Sequence, residues 1–131
     1  MPYYKYEEFR KACHKGKVKV LVFRKVVTDA TECFNLKTVR AILDFIANGG
    51  LEKLEFVNCK QWENNPDKSN PIMVDSYQFH TMNRLGYIAF FQNAKTDKWI
   101  IKSFHLSNQR NLAMELALKK AGLINGRKER R

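Results

Sequence analysis

At 131 residues the chain has the length of one ordinary domain; two separate cores would each be too small to stand alone. Hydrophobic residues make up 44% and aromatics 12%, which permits a real core and excludes disorder by composition. Lys and Arg number 24 against 13 Asp and Glu, a formal net charge of +11. An excess that large on a small domain points to a polyanionic partner.

No apolar run reaches the length of a membrane span, and Met1-Pro2-Tyr3-Tyr4 lacks the apolar stretch of a secretion signal. Basic proteins that lie on membranes use a long helix with a wide apolar face, and none is legible here. The expectation is a cytoplasmic chain with no membrane partner. Cys13, Cys33 and Cys59 are odd in number and widely spaced, which suits reduced thiols. Neither they nor His14, His80 and His105 show metal-ligand spacing, so no metal is expected.

In chain order, residues 4–14 read as a short helix with Tyr6, Phe9 and Cys13 on one side and Gly16 as its stop. The Lys/Val alternation from Lys17 marks a half-buried strand, and the pattern around 25–33 fits a second short helix as well as a strand. Asn35 is expected to cap a helix over 36–47, with Leu36, Val39, Ile42, Leu43 and Ile46 as its buried stripe and Asn48-Gly49-Gly50 as its end. Residues 51–62 suit a strand or a helix-to-strand passage. The stretch 63–71, rich in Asn and holding Pro66 and Pro71, is the one clear loop.

Three strand-like runs follow, over 72–81, 85–92 and 99–106, joined by short links that make consecutive pairs antiparallel. The second run is apolar on both faces, the habit of a central strand. Ser107 or Asn108 then caps a last helix reaching Ala121, and residues 126–131 form a basic tail. The expected architecture is α+β: one domain over 1–125 built on an antiparallel sheet of about four strands, with helices packed on it and an added C-terminal helix.

Phosphate-cradling Gly motifs and the G-x-S-x-G elbow are absent, and the few acids make a carboxylate pair hard to assemble. The remaining chemistry must use His, Lys, Arg and Tyr. That set suffices to cleave RNA without a metal: one group moves the 2′-hydroxyl proton, cations neutralise the phosphorane, and another group protonates the leaving 5′-oxygen. His80, Arg84, Tyr87, Lys102 and His105 sit on or near the strands, with Lys60 just before the loop. Alternation puts Ser103 and His105 on one face and Lys102 on the other. Each has an ordinary reading too: Tyr87 as a packed aromatic, Lys102 as a snorkelling surface lysine, His105 as a structural imidazole.

Several short segments resemble the MqsR-like (motility quorum-sensing regulator) toxins, mRNA interferases of the RelE-like superfamily. They are Lys15-Gly16-Lys17-Val18, the run from Leu54 to Lys60, Asp75-Ser76-Tyr77, Tyr87 within Gly-Tyr-Ile-Ala, and Ile101-Lys102-Ser103-Phe104-His105. The resemblance implies a RelE/MqsR-like sheet and a metal-independent endoribonuclease without a cofactor. Lys60, Tyr87 and His105 would be catalytic. Tyr77, His80, Arg84, Lys98 and Lys102 would bind RNA on a basic sheet face, and a cognate antitoxin would silence the enzyme. The chain departs from the family where His105 replaces a lysine and Val74 a glutamine, and its final helix runs past the family's usual end.

A rival reading takes 72–122 as three strands and a helix, similar to the DNA-reading sheets of AP2-type and integrase-arm domains. Arg84, Lys98 and Lys102 would then contact the nucleic acid without catalysis. A plain protein-interaction domain with a solvated basic surface is the third.

Overall fold

Strand β4 (Arg84–Gln92) holds the middle of the molecule because its residues are apolar on both sides of the alternation. The computed structural model of the chain describes residues 1–63, 65–81 and 83–107. Within them helix α1 (Tyr6–His14), a 3-10 turn (Gly16–Val18), β1 (Val20–Val22), α2 (Arg24–Phe34) and α3 (Val39–Ala47) come first. Strands β2 (Glu52–Gln61), β3 (Met73–Thr81), β4 and β5 (Trp99–Leu106) follow. The helix expected to reach Ala121 and the tail over 126–131 lie outside the described residues.

The α+β class holds, but the sheet differs from the expected four antiparallel strands. It has five, in the order β1-β5-β4-β3-β2, and it is mixed. β2 to β5 are antiparallel neighbours, whereas β1 pairs with β5 in parallel, Val20 opposite Trp99 and Val22 opposite Ile101. Local patterning cannot reveal that last pairing, because two helices and three strands intervene between its partners.

The segment before β2 also departs from expectation. Asn35 ends α2 instead of opening α3: its φ of 58° is left-handed, a conformation asparagine tolerates well. The Leu36 N–H reaches back to the Ala30 carbonyl at 3.2 Å and closes the turn. Thr38 takes the capping role, its Oγ1 accepting the Ala41 N–H at 3.0 Å. At the other end of α1, Gly16 adopts a φ of 77°, which lets the chain reverse into the 3-10 turn.

All three helices lie on one face of the sheet. Phe9 of α1, Val26, Ala30 and Phe34 of α2, and Ile42 and Ile46 of α3 pack onto Tyr77, Phe79, Ile88, Phe90, Ile101 and Phe104. Phe9 stacks on Phe90 with ring centroids 3.9 Å apart and planes 1° from parallel. The other face carries a smaller cluster of Val74, Ala89, Phe91 and Ile100, flanked by Trp62, Ile72 and Tyr87. Among the described residues no helix covers it.

Asp75 is fully buried and pins the start of the chain. Its Oδ1 accepts the Tyr3 N–H at 2.9 Å and its Oδ2 the Tyr4 N–H at 2.8 Å, while the Tyr4 hydroxyl donates to the Met73 carbonyl at 2.7 Å. Burial, then hydrogen bonding and repulsion from Asp75, push the neighbouring Cys59 thiol up from its ordinary pKa.

Asp75→Ala strands two backbone donors and is expected to cost about 1–3 kcal/mol in denaturant unfolding. Gly86→Ala would drive a methyl into the Phe79 ring and should cost about 1–3 kcal/mol by overpacking. Burial also pushes the Tyr4 and Tyr6 phenols up to about 12. Their folded pKa therefore exceeds the unfolded value of about 10, so the stability they add is complete below pH ~10 and lost as pH rises toward ~12. Alkaline unfolding should shift to higher pH in Tyr6→Phe relative to the parent; an unchanged midpoint would contradict this.

Candidate active site

Two bulges decide which side chains meet on the face that no described helix covers. In β2, Phe56 pairs with Tyr77 and Asn58 with Ser76, so Val57 is the extra residue. Phe56 therefore joins the core while Asn58 and Lys60 turn to the other side. In β5, Ile101 pairs with Phe90 and Ser103 with Ala89, which leaves Lys102 as the extra residue. Lys102 consequently lies on the same face as Ser103 and His105, whereas strict alternation put it opposite them.

The resulting rows run straight across the sheet. Glu55, Gln78, Tyr87 and His105 are register partners in one row, and Asn58, Ser76, Ala89 and Ser103 in the next. Over the second row, and on toward the Lys60–Val74 pair beyond it, opens a cleft of about 240 Å³ whose lining includes Ser76, Ala89 and Val74; of the first row only Tyr87 borders it. Lys60 and Lys102 contribute to its lining from opposite sides of these residues, together with Tyr87, Asn58 and Trp62. Ala89 leaves room because it presents only a methyl group between larger neighbours.

One wall is held by the loop after β2. The Trp62 N–H donates to the Ile72 carbonyl at 2.7 Å, and its ring lies 4.8 Å from that of Phe91. Asn65, almost fully buried, donates through Nδ2 to the carbonyls of Asp67 and Asn70, both at 2.8 Å. Hydrogen bonds from Ser69 and Asn70 hold the Asp67 carboxyl below its ordinary pKa. The loop is thus stapled by its own side chains, and Glu63 stands at the lip of the cleft.

Tyr87 donates its hydroxyl proton to Ser76 Oγ at 2.8 Å, which fixes the phenol at the cleft. His105 stacks on the Tyr87 ring, centroids 5.2 Å apart and planes 22° from parallel. Its Nδ1 lies 2.7 Å from the Leu106 carbonyl. A carbonyl only accepts, so Nδ1 carries a proton, and in the neutral ring the lone pair is then on Nε2. His105 is half-buried and stands beside the cleft without lining it.

The structure thus brings Lys60, Tyr87 and Lys102 together, with His105 adjacent, and separates the other expected residues. Tyr77 is in the core: 6% exposed, on the helix side, its ring parallel to Phe90 at 5.8 Å. Asp75 shares that face, so both named residues of Asp75-Ser76-Tyr77 are structural and the middle serine reaches the cleft. Arg84 also turns to the helix side, where its guanidinium donates to the Cys33 carbonyl of α2 at 2.7 Å. His80 is half-buried toward the far end of β3, paired with Glu52 and Leu85. Lys98 precedes β5 and lies a whole strand away from His105. Asn58, Gln61, Trp62, Glu63, Ser76 and Ala89 line the cleft without having been singled out from sequence. Ser76 was open to inference, since Tyr77 and Phe79 at i and i+2 mark the core face and its neighbour must face away.

No group of three or more His, Cys, Asp or Glu able to hold a metal occurs among the described residues. No described helix is long and apolar enough to cross a membrane.

Removing the Tyr87 hydroxyl leaves Ser76 Oγ, itself nearly buried, without its donor. Tyr87→Phe is expected to lower unfolding stability by only about 0.5–1.5 kcal/mol, because the ring and its stack on His105 remain. A loss of several kcal/mol would make the tyrosine chiefly a packing element.

Comparison with protein-family models, with curated proteins and with solved structures returns no match for this chain.

Proposed function

We propose that the protein is a metal-independent endoribonuclease that cleaves single-stranded RNA in the cleft between β2 and β5. The observation that carries the reading is the meeting of Lys60, Tyr87 and Lys102 in one cleft, with His105 stacked on Tyr87. In this scheme His105 Nε2 takes the proton from the 2′-hydroxyl, and the 2′-oxygen attacks the adjacent phosphorus. Lys60 and Lys102 neutralise the charge that grows on the phosphorane oxygens. The Tyr87 hydroxyl gives a proton to the departing 5′-oxygen, and the proton held by His105 restores the phenol. The products are a 2′,3′-cyclic phosphate and a 5′-hydroxyl. Following the resemblance to MqsR-like toxins, the enzyme would act as an mRNA interferase toxin under the control of a cognate antitoxin.

The non-catalytic, AP2-like alternative needs Arg84, Lys98 and Lys102 on one surface. Arg84 is tied to α2 on the helix side, while Lys102 faces the cleft, so the geometry favours cleavage over that mode of reading DNA.

Labelled single-stranded RNA incubated with the protein in EDTA should yield fragments ending in cyclic phosphate. His105→Ala and Lys60→Ala are each expected to slow cleavage about 100-fold or more while melting as the parent does. Salt-sensitive binding without scission by the parent protein would replace this reading with the non-catalytic one. Full cleavage by both variants would move the reaction elsewhere.

A further inference from the structure

The cationic charge does not concentrate around the cleft, whose lining holds Lys60, Lys102 and the acidic Glu63. Among the described residues it gathers beyond the C-terminal end of α1. Between Glu8 and Asp29 the chain carries seven Lys and Arg and no acid. Two hollows open there on the helix layer. The larger, about 450 Å³, is lined by His14, Lys15, Lys17 and Arg40, with Asp44 as its one acid. The smaller, about 310 Å³, is lined by Lys11, Lys15 and Lys19, with Glu8 and Asp97. Lys15 belongs to both and joins them into one track.

Ordinary structural roles account for little of this cluster. Lys11 and His14 sit in the last turn of α1, where cations offset the helix dipole. Arg40 makes an exposed pair with Asp44 at 3.7 Å, a contact of small worth. Lys15, Lys17 and Lys19 lie beyond the helix, and none of them makes an ion pair among the described residues. Gly16, left-handed at φ 77°, turns the chain so that Lys15 and Lys17 border the same hollow. Holding these charges side by side carries a repulsive cost that a polyanion removes.

We propose that this track, Lys11 to Lys19 with Arg40, is a second binding site, sharing no lining residue with the cleft, for the phosphodiester backbone of a single-stranded nucleic acid. Successive phosphates lie along the row of cations and release counterions, without reading bases. The site supplies affinity and the cleft supplies chemistry. The choice of RNA as the natural polyanion rests on the reading of the cleft; the phosphate-binding itself does not.

The test is fluorescence anisotropy with a labelled 20-nucleotide 2′-O-methyl RNA, which lacks the attacking hydroxyl and cannot be cut by 2′-oxygen attack. K15E/K17E should weaken binding at least tenfold at low salt. It should also flatten the slope of log K against log salt by about 1.4, the share of two single-strand phosphates. Single-stranded DNA of equal length should suffer the same loss, since the phosphate is shared. The double variant should melt as the parent does and cut a dinucleotide, whose single phosphodiester occupies the cleft, at the parental rate. K11E/K19E should reproduce the binding loss. Unchanged affinity and slope in both variants overturn the proposal. So does poly-glutamate binding that both variants abolish while RNA affinity stays parental, which would assign the surface to an acidic protein. Because the probe is not cleaved, these outcomes are independent of whether the cleft is catalytic.

Discussion

Phe90, at the centre of the central strand, is where the helix layer and the sheet become one body. Phe9 of α1 stacks face to face on it, Tyr77 lies parallel to it from β3, and Trp99 approaches from β5 with centroids 5.9 Å apart. All four rings are buried, and their combined area dominates the apolar surface that drives this part of the fold. The arrangement anchors β3, β4 and β5 to the same helix, so the opposite face of those strands inherits a rigid backing. A site built there sits on strands that cannot slide without disturbing the core.

On that rigid grid the bulges act as the specifying device. Without the extra residue at Val57, Asn58 and Lys60 could not face away from the core while Phe56 faces into it. Without the extra residue at Lys102, the lysine could not join Ser103 and His105 on one side. Each bulge changes the face of everything beyond it, so two one-residue irregularities assemble the cleft from four strands. The stapled segment over 65–71 flanks one side of it, where Trp62 packs on Phe91. Among the described residues chemistry and charge are separated in space: the cleft offers a phenol, two amines and a neighbouring imidazole, while Lys11, Lys15, Lys17 and Lys19 border the hollows of the helix layer.

What the amino-acid sequence determined by itself was local. The three strands after the loop, their antiparallel order, the central place of β4 and the Asn48-Gly49-Gly50 stop all follow from alternation, turn residues and apolar runs within a few positions of one another. Lys60, Tyr87 and His105 were accessible as chemistry-bearing side chains on strands, and Tyr87 and Lys60 do line one cleft. Tertiary structure decided the rest. Parallel pairing of β1 with β5 joins segments nearly eighty residues apart, which no local period records. Asn35 became a helix end because its left-handed turn fits α2 onto the sheet, leaving Thr38 to cap α3. Tyr77 went to the core and Ser76 to the cleft because the helix layer covers the Tyr77 side. Lys102 joined His105 because a bulge shifted the register, and a bulge is set by cross-strand packing that a single strand's sequence does not contain.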